Sequence, residues 1–287
     1  MDAETRLYCL IGNPVGHSIS PLIHNTLASR MGINMVYTAF CVEGDRLRDA
    51  VRGAHALGIR GINVTVPHKC AVLECLADID PLAAKIGAVN TLVWTEEGYR
   101  GYNTDIIGLD RELSEEGIVI RDNSVIILGA GGASKAITYL CADRGAKRIW
   151  LLNRSLDRAE RLAGEVNACF GDVVIPMELK NYDRIPAGKY PVIQTTSVGM
   201  YPRVSEAPIE EEDFYRLVSA GVDIIFNPGV TRFMEKCAGQ GAGAYNGLKM
   251  LLYQGIAAYE LWNGVNVGPE LAGEVLELMK KEMDHRG

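Results

Sequence analysis

Val125-Ile126-Ile127-Leu128-Gly129-Ala130-Gly131-Gly132-Ala133-Ser134 runs from an apolar stretch straight into a glycine-rich turn. Consecutive apolar residues of this kind fit a strand buried on both faces of a parallel sheet. Ala133 to Leu140 then reads as the start of a helix. Strand, Gly-x-Gly turn and helix form the phosphate-binding half of a dinucleotide-binding fold. Gly129 permits a tight turn that a Cβ obstructs. Gly131 lets backbone approach a pyrophosphate seated among the free N–H groups of the helix N-terminus. Ser134 stands where a third glycine is usual and is small enough for close helix–strand packing. A glycine-rich turn that binds nothing has the same outline, so the next strand decides.

That strand is Arg148 to Leu152, followed by Asn153-Arg154-Ser155. The residue that selects the cofactor lies about 20 positions past the glycines, at this strand's end. NAD enzymes place a carboxylate there for the ribose 2′-hydroxyl. Here Asn153 and Arg154 hold the place, with Arg158 one helical turn on and Asp157 beside it. A guanidinium can fork onto a phosphate and stack on adenine. The prediction is NADP; the competing reading makes Arg154 and Arg158 solvated charges at a helix start.

The chain of 287 residues suggests two domains at roughly 100–200 residues each. Hydrophobic content of 48% and charge of 23% are ordinary for a globular protein. A net charge of −7 argues against a nucleic-acid partner, which needs clustered Lys and Arg. No apolar run approaches the ~20 residues that span a membrane. Met1-Asp2-Ala3-Glu4 lacks the basic and apolar regions of a signal peptide. The seven cysteines are odd in number and show no paired CxxC spacing, so they read as reduced, mostly buried thiols of a cytoplasmic protein. Cys70 and Cys75 are too isolated from other soft ligands to suggest zinc, and no metal is expected.

Upstream, strands are expected over 6–11, 36–42 and 59–66, and helices over 20–31, 45–57 and 80–86. Ser20 before Pro21 reads as a capping hydroxyl followed by proline in the first turn, and Gly32 as the stop. Ser18 and Ser20 thus lie in a strand-to-helix loop beside free N–H groups, a place for a carboxylate; Ser20 as a plain cap is an equal reading. Thr65 lies at the carboxyl end of the third strand, and His68 and Lys69 follow it, where ligands bind in open α/β sheets. His68 reads as a local hydrogen-bonding residue. Residues 88–94 and 99–102 form a hairpin pattern around Glu96-Glu97-Gly98. Asp105 precedes a helix over 106–116 and by itself reads as a cap. Further strands are expected over 173–175, 192–194 and 222–226, and helices over 248–262 and 269–283.

Taken in order, GNPVGHSISPLIHN (12–25), GINVTVPHK (61–69), IGAVNTL (86–92), GYNTD (101–105), LGAGGAS (128–134), LLNRS (151–155), QTTSVGM (194–200), FNP (226–228) and NGLKMLLYQ (246–254) resemble the shikimate dehydrogenase family over nearly the whole chain. The resemblance implies an α/β protein with two parts and a cleft between them. An N-terminal α/β substrate domain, 1–107, is rejoined by 245–287, and a Rossmann-type doubly wound NADP domain spans 108–244. The crossings near Ile107 and Ala244 are natural hinges. It implies a monomeric or homodimeric cytoplasmic oxidoreductase that reduces 3-dehydroshikimate to shikimate reversibly with NADPH, in the shikimate pathway of aromatic amino-acid biosynthesis.

Residue by residue, Lys69 and Asp105 match the family's catalytic pair. Ser18 and Ser20 match the groups that hold the substrate carboxylate, and Thr65, Asn90, Asp105 and Gln254 those that meet its hydroxyls. Gly129, Gly131, Gly132 and Ala133 match the pyrophosphate site. Asn153, Arg154, Ser155 and Arg158 match the adenosine-phosphate site. Thr196, Ser197 and Val198 match residues lining the cofactor's far side, and Gly247 and Met250 those near the nicotinamide. Two positions depart from the pattern. Phe226 replaces a common tyrosine whose hydroxyl reaches the substrate, and Ile106 replaces a glycine. A quinate or amino-shikimate paralogue is therefore an alternative, as is a non-catalytic ligand-binding regulator. Lys69 and Asp105 favour the enzyme; Ser20, Thr65 and Arg154 favour shikimate.

Overall fold

The computed structural model describes residues 1–286, and the chain divides into two units, Met1–Gly108 with the residues from Leu251 onward, and Leu109–Met250. The first runs β1 (Arg6–Gly12), α1 (Ser20–Met31), β2 (Met35–Cys41), α2 (Leu47–Ala56), β3 (Gly61–Val64), β4 (Asp78–Ile79), α3 (Pro81–Ile86), β5 (Thr91–Thr95), β6 (Gly98–Tyr102) and into α4 (Thr104–Glu115). Its six strands form one sheet in the order β2-β1-β3-β5-β6-β4. β1 pairs in parallel with β2 and β3, while β5 runs antiparallel to both β3 and β6. Cys9, Leu10 and Ile11 are buried in succession because β1 has a strand on each side and cover on both faces.

The predicted start of α1 needs correction. Ser20 is the first helical residue and Ile19 the cap, without a side-chain capping bond; Ser18 Oγ instead accepts the Ser20 N–H at 3.2 Å. The stop is as expected, since Gly32 adopts a left-handed φ of 65° and its N–H returns to Ala28 O. Asp105 is not a cap either. α4 begins one residue before it, and its carboxylate is turned to other partners.

The second unit continues with β7 (Ser124–Leu128), α5 (Gly132–Asp143), β8 (Arg148–Asn153), α6 (Leu156–Phe170), β9 (Val174–Glu178), β10 (Tyr190–Gln194), α7 (Glu212–Tyr215), β11 (Val218–Asp223), α8 (Arg232–Gly239) and β12 (Gly243–Asn246). All six strands are parallel, in the order β12-β11-β10-β7-β8-β9. The order reverses between β7 and β10, the switch point beside which doubly wound sheets bind ligands. Val125 to Leu128 are wholly buried.

β11 ends at Asp223, not at the expected Phe226, because the Asp223 carboxylate accepts the Ile225 N–H and turns the chain out of the sheet. β12 lacks an apolar run and so gives no signal in the sequence. Its pairing with β11 carries Tyr245 and Asn246 into the second sheet, which moves the return to the first unit from 245 to Leu251.

After β12 come α9 (Leu248–Asn263) and α10 (Pro269–Arg286). α9 is locked onto the first sheet by Trp262, whose Nε1 donates to Leu92 O at 2.8 Å. Gly61 makes room for that indole, since a Cβ there would lie 2.3 Å from Trp262 Nε1. The cysteines are all free, but only Cys9, Cys141 and Cys237 are buried; Cys41, Cys70 and Cys169 are exposed, correcting the expectation that most are interior. No helix among the described residues is long and apolar enough to cross a membrane.

Candidate active site

Lys69, in the loop after β3, reaches Asp105 at the start of α4, with Nζ 2.6 Å from Oδ2. Their side chains are 31% and 24% exposed, so the pair is sheltered yet open to a small molecule. Asn90 donates from Nδ2 to the other oxygen, Asp105 Oδ1, at 2.9 Å. The Asn90 amide has one orientation, because its Oδ1 accepts the Thr104 N–H at 2.7 Å and lies 3.1 Å from the Thr91 and Thr104 hydroxyls. Asp105 Oδ1 therefore accepts from Asn90, and Oδ2 is the oxygen that faces Lys69.

Behind this lies a buried relay. Asn63 donates to Thr91 Oγ1 at 3.1 Å and to the Asn90 carbonyl, and accepts on Oδ1 from the Tyr37 hydroxyl at 2.7 Å. His24 Nε2 lies 3.1 Å from the same oxygen. Burial pushes the His24 imidazole down to about 3, although its bond to Asn63 opposes this, so the ring is neutral and its Nε2–H donates. Asn63 and Thr91 are absent from the sequence expectations. Their signal is a polar side chain beside buried apolar neighbours, Ile62 and Val64 for Asn63 and Leu92 for Thr91.

Of the other expected substrate residues, Ser18 and Ser20 are joined to each other. Thr65 follows β3, where its N–H reaches Ile11 O at 2.9 Å. It sits against Gly12, whose Cβ would lie 2.3 Å from Thr65 Cγ2, so the glycine makes room for the threonine beside the β1 loop. Gln254, on α9, donates to Leu251 O at 2.8 Å, and its neighbour Gly255 faces Ile23 of α1. No direct bond links Ser18, Ser20, Thr65 or Gln254 to the lysine–aspartate pair. His68 is the local hydrogen-bonding residue expected, its Nε2 donating to Val42 O at 2.7 Å.

In the second unit the glycine turn follows β7. Gly129 has φ +113°, and a Cβ would stand 2.6 Å from Thr195 Oγ1. Ser134, fully buried, donates to Gly129 O at 2.6 Å and fills the place of the third glycine. Gly131 caps α5 without a side-chain bond, and open space surrounds Gly131 and Gly132. A bare helix N-terminus lined by glycines and opening beside Ala133 fits a pyrophosphate. Asn153 Nδ2 donates to Ser155 O at 2.9 Å, while Arg154 and Arg158 are exposed. On the other side of the switch point, Thr196 Oγ1 accepts the Val198 N–H and Ser197 Oγ accepts from Arg203 Nη2 at 3.0 Å. Arg203 carries no mark in the sequence that singles it out. Gly247 is pressed against β11's exit, for a Cβ there would lie 2.2 Å from Ile224 O, and Met250 follows in the first turn of α9, half-buried.

Three family models match along the chain: the shikimate dehydrogenase substrate binding domain over 10–92, shikimate / quinate 5-dehydrogenase over 112–188, and the shikimate 5′-dehydrogenase C-terminal domain over 247–271. The chain belongs to the shikimate dehydrogenase family. It is 43% identical over 263 residues to the shikimate dehydrogenase (NADP(+)) of Bacillus anthracis, covering 90% of this chain and 93% of that one. A Listeria monocytogenes shikimate 5-dehydrogenase solved with shikimate and NAD has TM-score 0.89 at 31% identity, with 96% and 98% of the two chains covered. A Thermus thermophilus family member solved with NADP(H) and shikimate has TM-score 0.83 at 30% identity, over 95% and 99%. Family membership accounts for the mixed sheet and the all-parallel sheet together.

Proposed function

We propose that this chain reversibly reduces 3-dehydroshikimate to shikimate with NADPH. The observation that carries the reading is the Lys69–Asp105 contact at 2.6 Å, held from behind by Asn90. Lys69 Nζ hydrogen-bonds the ketone oxygen and gives it a proton as the carbonyl carbon is reduced; in the oxidising direction it takes that proton from the hydroxyl. Asp105 steers the ammonium through its 2.6 Å contact. The Ser18 and Ser20 hydroxyls hold the substrate carboxylate, and Thr65, Asn90, Asp105 and Gln254 meet its hydroxyls. A site built to satisfy hydroxyls rejects analogues lacking them by up to ~10⁵-fold.

The cofactor, when bound, supplies or takes up the hydride. Gly129, Gly131, Gly132 and Ala133 cradle its pyrophosphate, and Asn153, Arg154, Ser155 and Arg158 take the adenosine phosphate. Thr196, Ser197 and Val198 line its far side, and Gly247 and Met250 flank the nicotinamide. Exposed guanidiniums at the end of β8, with no partner holding Arg154 among the described residues, support NADP over NAD.

A second reading, quinate as an additional substrate, is favoured by one residue. Phe226 is 38% exposed in the loop after β11 and offers no hydroxyl where the family commonly has a tyrosine. Initial rates with shikimate and quinate, each against NADP and NAD, test both readings. Shikimate with NADP is expected to be the fastest combination. A higher kcat/KM for quinate, or equal use of NAD, overturns the corresponding half of the proposal.

A further inference from the structure

The loops that leave β10 and β11 are tied together by side chains that never reach solvent. Asp223, the last residue of β11, is wholly buried. Its Oδ2 accepts from Thr231 Oγ1 at 2.7 Å, and its Oδ1 accepts the Ile225 N–H at 3.0 Å and Gln194 Nε2 at 3.4 Å. Gln194, the last residue of β10, is equally buried. Its Oε1 accepts the Thr196 N–H, and its Nε2 also donates to the carbonyls of Thr196 and Val198 at 3.1 Å each. One carboxylate and one amide thus fasten the 195–198 segment to the 224–231 segment, both at the carboxyl edge of the parallel sheet, where such folds bind their ligands.

A buried carboxylate without a cation is costly. No cation is among the partners of Asp223. The titratable neighbour is the Cys237 thiol on α8, which burial and then Asp223 itself push up to about 12, leaving it neutral. Gln194 and Thr231 carry no charge. Burial lifts the Asp223 carboxyl to about 6, against the pull of the Thr231, Ile225 and Gln194 donors. Every donor around it points inward, so a proton placed on either oxygen faces a group that cannot accept it without turning away.

We propose that Asp223 is a positioning residue for the cofactor: its carboxylate holds the 195–198 and 224–231 segments in the shape that receives the dinucleotide, and protonation releases them. This rests on the reading in which Thr196, Ser197 and Val198 line the cofactor. Asp223 touches no reacting atom, and it acts through Gln194 and Thr231.

Calorimetric titration of the whole chain with NADP, from pH 5 to pH 8, tests it without turnover. Asp223→Asn is expected to bind NADP roughly tenfold more weakly at pH 7.5, the size of one charge-assisted hydrogen bond. The ratio of wild-type to variant affinity is expected to fall toward one at pH 5, where the native carboxyl is protonated too. Taking the ratio cancels titration of the ligand's own phosphate. Shikimate affinity is expected to change far less than NADP affinity, since its hydrogen-bonding groups lie in the first unit and Phe226 offers it none. Thr231→Val is expected to give a smaller loss, and Thr231→Ser to restore it; these two carry the test where the asparagine variant folds poorly. Equal NADP affinity in Asp223→Asn, a ratio that stays constant with pH, or a parallel loss of shikimate binding overturns the proposal. Gly131→Val separates the two levels, because it introduces a side chain where nothing lies within 4 Å. NADP binding that survives Gly131→Val sinks the reading of the glycine turn. Binding lost in Gly131→Val but kept in Asp223→Asn sinks the Asp223 proposal alone.

Discussion

In the first unit the candidate chemistry is carried by side chains that hold one another; in the second it is carried by backbone from which side chains are missing. Lys69 is aimed by Asp105, Asp105 by Asn90, and Asn90 by Thr91 and the Thr104 N–H. The glycine turn inverts this logic. Gly129 takes a backbone conformation that L side chains avoid, and Gly131 and Gly132 leave space in front of α5. A proton must be delivered to one atom, which needs a directed functional group. A pyrophosphate needs many weak donors at close range, which backbone N–H groups provide once nothing stands before them. Damage should therefore look different in the two places.

The sharpest break belongs to the first unit. Lys69→Ala is expected to lower kcat by roughly 10²–10⁴-fold, the range for losing a positioned general acid. Shikimate affinity is expected to change little, because the carboxylate and hydroxyl partners remain. Steady-state rates beside an equilibrium titration with shikimate check this. A kcat within a few-fold of wild type would show that the Lys69–Asp105 contact is a structural ion pair.

In the second unit the corresponding change adds atoms. Gly129→Ala places a Cβ 2.6 Å from Thr195 Oγ1 at a φ of +113°. Thr195 cannot easily retreat, since its hydroxyl donates to Leu128 O at 2.7 Å and its N–H to the same carbonyl. The expected result is a loss of NADP affinity of about tenfold or more, with about 1–3 kcal/mol of lost stability from backbone strain. Shikimate affinity is expected to be spared. Titration with each ligand and a thermal melt distinguish this from general unfolding, in which both affinities fall together.

The two regions were also unequally legible. The glycine turn is local: strand, turn and helix sit in consecutive residues, and the cofactor-selecting position follows at a fixed spacing. It is readable because its physics is short-range. The Lys69–Asp105 pair is brought together by a sheet in which β3 pairs with β5 and β5 with β6, so spacing along the chain says nothing about its 2.6 Å approach. Resemblance alone marks those residues in the sequence, and Asn63 and Thr91 behind them carry only their polarity beside apolar neighbours. β12 leaves no pattern in the sequence because Gly243-Ala244-Tyr245-Asn246 is a strand only by virtue of β11 beside it. The Asp223 lattice was hidden for the same reason: read locally, Asp223 is one polar residue inside the apolar run Val222 to Phe226. Its carboxylate, which ends the strand early, has no signature in hydrophobic pattern.

The smallest expected effect sharpens the contrast between satisfied and unsatisfied buried polar groups. The relay behind Asp105 is hydrogen-bonded at nearly every atom, the exception being His24 Nδ1. Glu112 on α4 is fully buried, and neither carboxyl oxygen makes a well-formed hydrogen bond. Burial, and then repulsion from Glu116, push its carboxyl up to about 8, outweighing the attraction of Lys249 and the Met250 N–H. The folded chain therefore keeps a proton that the unfolded chain, with an ordinary value of 4.5, gives up. Stability from this group is fully present below about 4.5 and is lost as pH rises through about 8, with a slope of at most about 1.4 kcal/mol per pH unit. Glu112→Gln keeps the neutral shape and removes the titration. It is expected to flatten the fall in stability between pH 5 and 8 and to leave the variant about 1 kcal/mol or more ahead of wild type at pH 8. Denaturant melts at pH 5, 6.5 and 8 measure it. Parallel pH curves for the two proteins would mean that Glu112 is ionised in the fold, held by Lys249 after all, and that the second unit buries a charge as the first does, with a cation beside it.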